Sequence, residues 1–333
     1  MSRLDEMFSA LRGARPEVLP SKYWEELNRT NLEQLSVHGY ESFKRTLALN
    51  YFTFIVSRKD VQLRFLQEHL PAWVVARSAA ASALRGRHPG LVWKQSLLYT
   101  YHTLLIWEYV RRTRPGGIPA GLSEPDEGGP FRIHSGGNLI SQDLANSILE
   151  YQSITEPLTV PGELKTVMEL GAGYGRTAFV FLRLMPSVRY VVVDIPPALY
   201  VAERYLSSQF RDRKIFPFRQ FSSYDDIREE FESAQIAFLL PNQAEMLPDR
   251  SVDLTVNISS LHEMRMDQVR FYFDQIARLT RRWFYLKEWK MSRNPFEKEQ
   301  FGENDYPIRP GWERIFHREC RVQTEFFEAM YRL

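Results

Sequence analysis

The sequence predicts an α/β protein: a doubly wound, mostly parallel sheet in the C-terminal part, preceded by an N-terminal helical domain. Three observations carry this. Residues 166–194 run from an apolar β-rich stretch, Val167 to Leu170, into glycines 171, 173 and 175. A helical face of Phe179, Leu182 and Met185 follows, then a second apolar run, Tyr190 to Val193, closed by Asp194. That succession is the first half of a nucleotide-binding α/β fold. Beyond it, short apolar runs alternate with helical periodicity towards the C-terminus. Before it, the apolar residues step by three and four, the spacing of helices.

The 333 residues exceed an ordinary single domain. The expected division is a helical domain with its linker over 1–130 and the sheet domain over 131–333. With 44% hydrophobic and 25% charged residues, the composition is that of a globular protein. A formal net charge of +2 is too near neutral to argue for nucleic acid or a membrane surface. The one cysteine, Cys320, excludes a disulfide within the chain and suits a reducing compartment. There is no N-terminal apolar h-region and no apolar run long enough to span a bilayer, so a cytoplasmic location is expected.

In the N-terminal part, Tyr40, Phe43, Leu47, Tyr51 and Phe54 form one stripe, and Leu63, Leu66 and Leu70 a second that Pro71 breaks. Leu98, Tyr101, Leu105 and Tyr109 form a third. These are core stripes. The block they build caps an active site, forms a homodimer interface, or does both, and the sequence does not choose. Arg111, Arg112 and Arg114 read as a solvated helix C-terminus, with a phosphate clamp as the alternative. Two turn-rich segments, 114–119 and 123–130, separate the halves. Ser141 is placed to cap a helix with Leu144, Ile148 and Tyr151 on one face.

In the sheet domain, the glycines let a ligand approach the backbone, and free N–H groups at the next helix start point into the same space. Asp194, at the end of the second strand, suits the two hydroxyls of a ribose. A dinucleotide fingerprint would require glycine at 176, where Arg176 stands, which disfavours a nicotinamide-dependent oxidoreductase. Pro196 and Pro197 open a helix through Tyr200, Val201 and Leu206. Ile236 to Leu240 is the third strand and Val252 to Ile258 the fourth. A helix carrying Val269, Tyr272, Ile276 and Leu279 leads to the fifth, Trp283 to Leu286. Residues 292–312 read as a long loop, and 312–320 and 326–333 as the last two of seven strands.

Glu169-Leu-Gly-Ala-Gly-Tyr-Gly175 resembles motif I of the class I S-adenosylmethionine (SAM) dependent methyltransferases. The stretches 169–178, 190–197, 257–264 and 285–290 are similar to the sugar O-methyltransferase family, over roughly residue 131 to the C-terminus. The resemblance implies a Rossmann-like sheet with one of its last strands reversed, SAM as cofactor and S-adenosylhomocysteine as product. It implies cofactor contacts at Glu169, Gly171, Ala172, Gly173, Gly175, Asp194, Ile195, Asn257 and Ser141. Gln243 stands where many relatives carry an aspartate for the adenine amino group, and its carbonyl offers the same acceptor. Residues 134–142, His134 included, lie over the methionine end of SAM or form an ordinary linker turn and cap.

The chemistry centres on His262 and Glu263, beyond the fourth strand, at the edge of the sheet where ligands bind. Methyl transfer needs alignment, and a neutral hydroxyl acceptor benefits from a base that takes its proton. Histidine suits that role, while Glu263 orients it or binds substrate; a structural His262 is the alternative. Lys287 and Trp289, after the fifth strand, are acceptor-pocket candidates, Trp289 as a stacking surface for a sugar or else as a core residue. No H-E-x-x-H is present, since position 266 is Met266, and no metal is expected. The expected function is methyl transfer from SAM to a hydroxyl of a sugar, within a glycosylated natural product or a nucleotide sugar. Its rivals are an N-methyltransferase for an amino sugar or other small amine and a non-catalytic SAM-binding or dimerising partner.

Overall fold

The computed structural model describes residues 2–46, 59–85, 87–119, 121–158, 164–294, 296 and 298–333, with backbone alone at 59 and 60. The stripe through Leu47, Tyr51 and Phe54 lies outside them. The chain divides into two compact units, one of residues 33–153 with 321–324, the other of 1–32, 154–320 and 325–333. Among the described residues no helix is long and apolar enough to cross a membrane.

The first unit is mainly helical. Helices Lys59–His69 and Trp93–Thr113 carry the second and third predicted stripes, and Pro71 ends the first of them and opens a further helix, Ala72–Ala83. Trp93–Thr113 buries Leu105, Ile106, Tyr109 and Val110. Strands β1 (Ile133–Ser135) and β2 (Asn138–Ile140) form an antiparallel hairpin, and helix Gln142–Thr155 follows. Beneath it sits a buried ion pair of Lys44 and Glu124. Lys44 also donates to the Pro125 carbonyl, and the Ser141 hydroxyl donates to Glu124, so neither buried charge lacks partners. The arginine cluster is engaged locally: Arg111 and Arg112 pair with Glu108 at 2.8 and 3.5 Å, and Arg114 donates to the Gly117 carbonyl.

The second unit holds an eight-stranded sheet. Its strands are β3 (Thr166–Leu170), β4 (Arg189–Val193), β5 (Ile215–Phe216), β6 (Ile236–Leu239), β7 (Val252–Ile258), β8 (Thr280–Trp289), β11 (Glu313–Glu319) and β12 (Phe326–Arg332). Their order is β11-β12-β8-β7-β3-β4-β6-β5. Neighbours are parallel except that β12 runs antiparallel to both β8 and β11. The seven expected strands and the single reversal are all present, and the two-residue β5 adds an eighth at the edge. Their central segments bury both faces, which is why they read as continuous apolar runs.

Part of the predicted loop 292–312 is strand instead. Residues Met291–Asn294 (β9) pair antiparallel with Glu299–Gly302 (β10). Ser292, Arg293, Asn294, Glu299 and Gln300 carry no apolar alternation, so the hairpin has no periodic signal in sequence. Further along, Phe301 and Tyr306 anchor the segment in the core.

Strand β3 has β4 on one side and β7 on the other, so chain direction across the sheet switches at its carboxyl end. Residues 1–32 belong to this unit. Helix Arg3–Leu11 is capped by a reciprocal Ser2–Asp5 box, and Arg3 pairs with Glu203 at 2.6 Å. Asn242 Nδ2 donates to the Ala10 carbonyl at 3.0 Å.

Candidate active site

The glycine loop leaves β3 at Leu170. Gly171 N–H donates to the Val193 carbonyl at 2.8 Å, and Gly175 N–H to the Ala172 carbonyl at 3.0 Å, closing a tight turn into helix Arg176–Leu184. A Cβ at Gly171 would lie 2.3 Å from Ser260 Oγ, and one at Gly175 would lie 2.8 Å from Leu206 Cδ1. At Gly173, whose φ is +59°, a Cβ would meet nothing within 4 Å. Two glycines therefore permit packing of the chain on itself, while the middle one faces open space.

Asp194 closes β4 beside that space. Its carboxylate accepts from the N–H groups of Gly173 and Ile195, each at 2.7 Å. Burial pushes its pKa up to about 7, although the two backbone donors oppose the shift. Gly171, Asp194, Ile195 and Pro241 line a pocket together with Val18, Leu19 and Trp24.

Nearby, Glu169 accepts from the Tyr190 hydroxyl at 2.8 Å. Asn257 Nδ2 donates to the Leu170 carbonyl at 2.9 Å and to Ser260 Oγ at 2.7 Å, which leaves its buried Oδ1 without a hydrogen-bond partner. Gln243 is tied at both ends of its amide. Its Oε1 accepts from Leu240 N–H at 3.0 Å and its Nε2 donates to the Arg219 carbonyl at 2.7 Å. The Oε1 end closes the turn of helix Pro241–Ala244, because a helix start leaves N–H groups that a nearby side chain can satisfy, and the Nε2 end ties that turn to Arg219.

His262 lies in a single 3-10 turn, Leu261–Glu263, just beyond β7. Its Nδ1 is 2.6 Å from Glu288 Oε2 on β8. The other oxygen of Glu288, wholly buried, accepts from Ser260 N–H at 3.1 Å and Leu261 N–H at 2.9 Å. His262 Nε2 stands 3.6 Å from Glu263 Oε1, outside hydrogen-bond range. The carboxylate that orients the ring is therefore Glu288 and not Glu263. Burial disfavours the charged imidazole, but Glu288 and then Glu263 outweigh it and raise the His262 pKa. Burial also pushes Glu263 up to about 8; His262 opposes this, whereas Glu288 and Asp194 add to it.

The Trp289 ring lies on Phe326, centroids 4.5 Å apart, and meets His262 edge-on at 6.1 Å. Lys287 is buried with its Nζ over the same Phe326 ring at 5.7 Å. In the helical unit, Ser141 Oγ accepts from Leu144 N–H at 2.9 Å, the expected N-cap. His134 is exposed on β1, and its carbonyl accepts from Arg85 at 2.6 Å. Among the described residues no group of three or more His, Cys, Asp or Glu is placed to hold a metal ion.

Sequence reasoning missed Glu288 and the stretch Val18–Trp24. A carboxylate inside an apolar run was the available signal for Glu288, but its flanking lysines made that stretch read as a charged strand end. The stretch Val18–Trp24 has no periodicity that would have announced a pocket wall.

The chain is thus a doubly wound α/β protein whose pocket lies at the carboxyl ends of the strands flanking the switch point. No protein-family model matches it, and no curated protein matches it. Among solved structures, it is similar to a 1,6-didemethyltoxoflavin-N1-methyltransferase of Burkholderia thailandensis, with 15% identity over 57% of this chain and 78% of that one, at a TM-score of 0.40. A SAM dependent methyltransferase of Aquifex aeolicus shows 14% identity over 55% and 88%, at a TM-score of 0.36. A mitomycin 7-O-methyltransferase shows 12% identity over 80% and 70%, at a TM-score of 0.38. At such scores these likenesses carry no weight beside the chain's own strand order.

Proposed function

We propose that the protein is a SAM-dependent methyltransferase acting on a hydroxyl of a sugar or glycosylated natural product, with His262 as general base. The observation that carries the catalytic part is the clamp of Glu288 on Nδ1, which leaves Nε2 of the neutral ring as the acceptor of a proton. The observation that supports the cofactor is the open space at Gly173 beside the Asp194 carboxylate.

On this reading Gly171, Ala172, Gly173 and Gly175 shape the loop against which SAM lies, and Asp194 takes its ribose hydroxyls. The unpaired Oδ1 of Asn257 fits a polar group of the ligand. Bound SAM supplies an electrophilic methyl on a sulfonium; forming the new O–C bond breaks the S–C bond and leaves S-adenosylhomocysteine. His262 Nε2 takes the acceptor's hydroxyl proton, and the resulting imidazolium is stabilised by the charge of Glu288. Glu263, partly protonated near neutral pH because of its burial, is left as a hydrogen-bonding group for the acceptor. The resemblance at 257–264 and 285–290 supports the sugar, and Trp289 offers an aromatic surface for it. The helical unit is assigned to acceptor choice or self-association, neither of which SAM binding requires.

The test is turnover of a panel of free, nucleotide-linked and natural-product sugars with methyl-labelled SAM. O-methylation that His262→Gln suppresses is expected. Methylation confined to amines, or persisting on hydroxyls in His262→Gln, would replace this reading.

A further inference from the structure

We propose that the N-terminal stretch Val18–Trp24 is the outer wall of the nucleoside site, and that Trp24 is a binding residue for the base of the cofactor. This rests on the SAM reading above and adds residues that motif I does not contain.

Two observations lead to it. Val18, Leu19, Pro20, Ser21 and Trp24 line the same pocket as Gly171 and Asp194, so the stretch faces the proposed ribose acid. Secondly, Gln243 does not line this pocket, and its amide is tied to the Leu240 N–H and the Arg219 carbonyl. Recognition of the base within the pocket then falls to apolar and aromatic surface. Pro241, Ile195 and Tyr272 provide it together with Val18, Leu19 and Trp24.

The stretch is built into the unit and does not merely rest on it. Gln268 Nε2 donates to the carbonyls of Glu17 and Leu19 at 3.3 and 2.8 Å, while its Oε1 accepts from Arg265 N–H at 3.1 Å. Ser21 Oγ donates to the Glu263 carbonyl at 2.9 Å and accepts from Trp24 N–H at 3.3 Å, capping helix Lys22–His38. Val18 is 1% and Trp24 7% exposed. The Ser21 bond fastens the wall to the turn that carries His262 and Glu263.

The experiment is a calorimetric titration of the full chain with S-adenosylhomocysteine, in wild type, Trp24→Ala and Leu19→Asp, with folding checked by circular dichroism. In parallel, amide hydrogen exchange over residues 16–25 of the wild type is followed with and without S-adenosylhomocysteine. We expect binding about tenfold weaker in each folded variant, in keeping with the loss of a base-stacking or apolar wall. We also expect slower exchange across 17–24 on ligand addition. Affinities within about twofold of wild type in folded variants, or exchange in the stretch that the ligand leaves unchanged, would overturn the assignment. If a variant does not fold, the wild-type exchange decides alone. Absence of any binding by wild type would instead sink the SAM reading, and this inference with it.

Discussion

Glu288 Oε2 lies 2.6 Å from His262 Nδ1, and the backbone N–H groups of Ser260 and Leu261 hold the other oxygen of the same carboxylate. Three donors thus converge on one buried acid. They fix the carboxylate beside the ring and set the ring's orientation. On the proposed function, Nε2 is then the nitrogen that takes the acceptor's proton.

His262→Gln and His262→Ala should therefore lower the turnover number by roughly 10²–10⁴-fold, the usual contribution of a positioned base. Affinity for S-adenosylhomocysteine should hardly change. Single-turnover kinetics beside calorimetry separates the two quantities. A variant at 262 that kept most of its turnover on a hydroxyl acceptor would make His262 structural.

Glu288→Gln tests the clamp through pH. His262 must be neutral to accept a proton, and its folded pKa is raised above the ordinary value, so turnover should climb as pH rises through that raised pKa. Removing the Glu288 charge removes a cause of the elevation. The acid limb should then move to lower pH, while the plateau falls. A plateau loss with an unmoved limb would mean that Glu288 only supports the turn.

Asp194 predicts a pH dependence of binding. Its carboxyl is pushed up to about 7, and only the ionised form accepts from two ribose hydroxyls. The bound state prefers the anion, so affinity for S-adenosylhomocysteine should rise as pH increases through about 7. Below that it should fall by up to about tenfold per unit. In Asp194→Asn, binding should be weaker and this dependence lost. Titrations at several pH values decide it.

Gly171→Ala and Gly173→Ala should fail in different ways. At Gly171 the new Cβ would sit 2.3 Å from Ser260 Oγ in a backbone with φ +76°, so thermal stability should drop clearly. At Gly173 no atom obstructs it, and the left-handed backbone costs about 1–2 kcal/mol. That variant should fold with a modestly lower melting temperature and bind S-adenosylhomocysteine much more weakly. Intact binding in folded Gly173→Ala would show that the open space is not the ligand's.

The seven main strands, the glycine turn with its acid and the position of His262 were all legible in the chain itself, while the reversed strand near the edge followed only from the family resemblance. Each depends on signals within a few residues: apolar runs of strand length, glycines where the backbone must turn left-handed, a proline that opens or ends a helix. What the tertiary structure decided lies between residues far apart in sequence. Glu288 reaches His262 because β7 and β8 pair with Ile258 opposite Lys287, a register no local pattern encodes. The Gln243 amide bonds to the Arg219 carbonyl as well as to the nearby Leu240 N–H, and the partner 24 residues away has no local signal. Val18–Trp24 became a pocket wall through Gln268 and Glu263, some 240–250 residues away. Local chemistry determines which elements form, whereas side chains distant in sequence become a site only when the packed sheet brings them together and their buried polar groups must be satisfied.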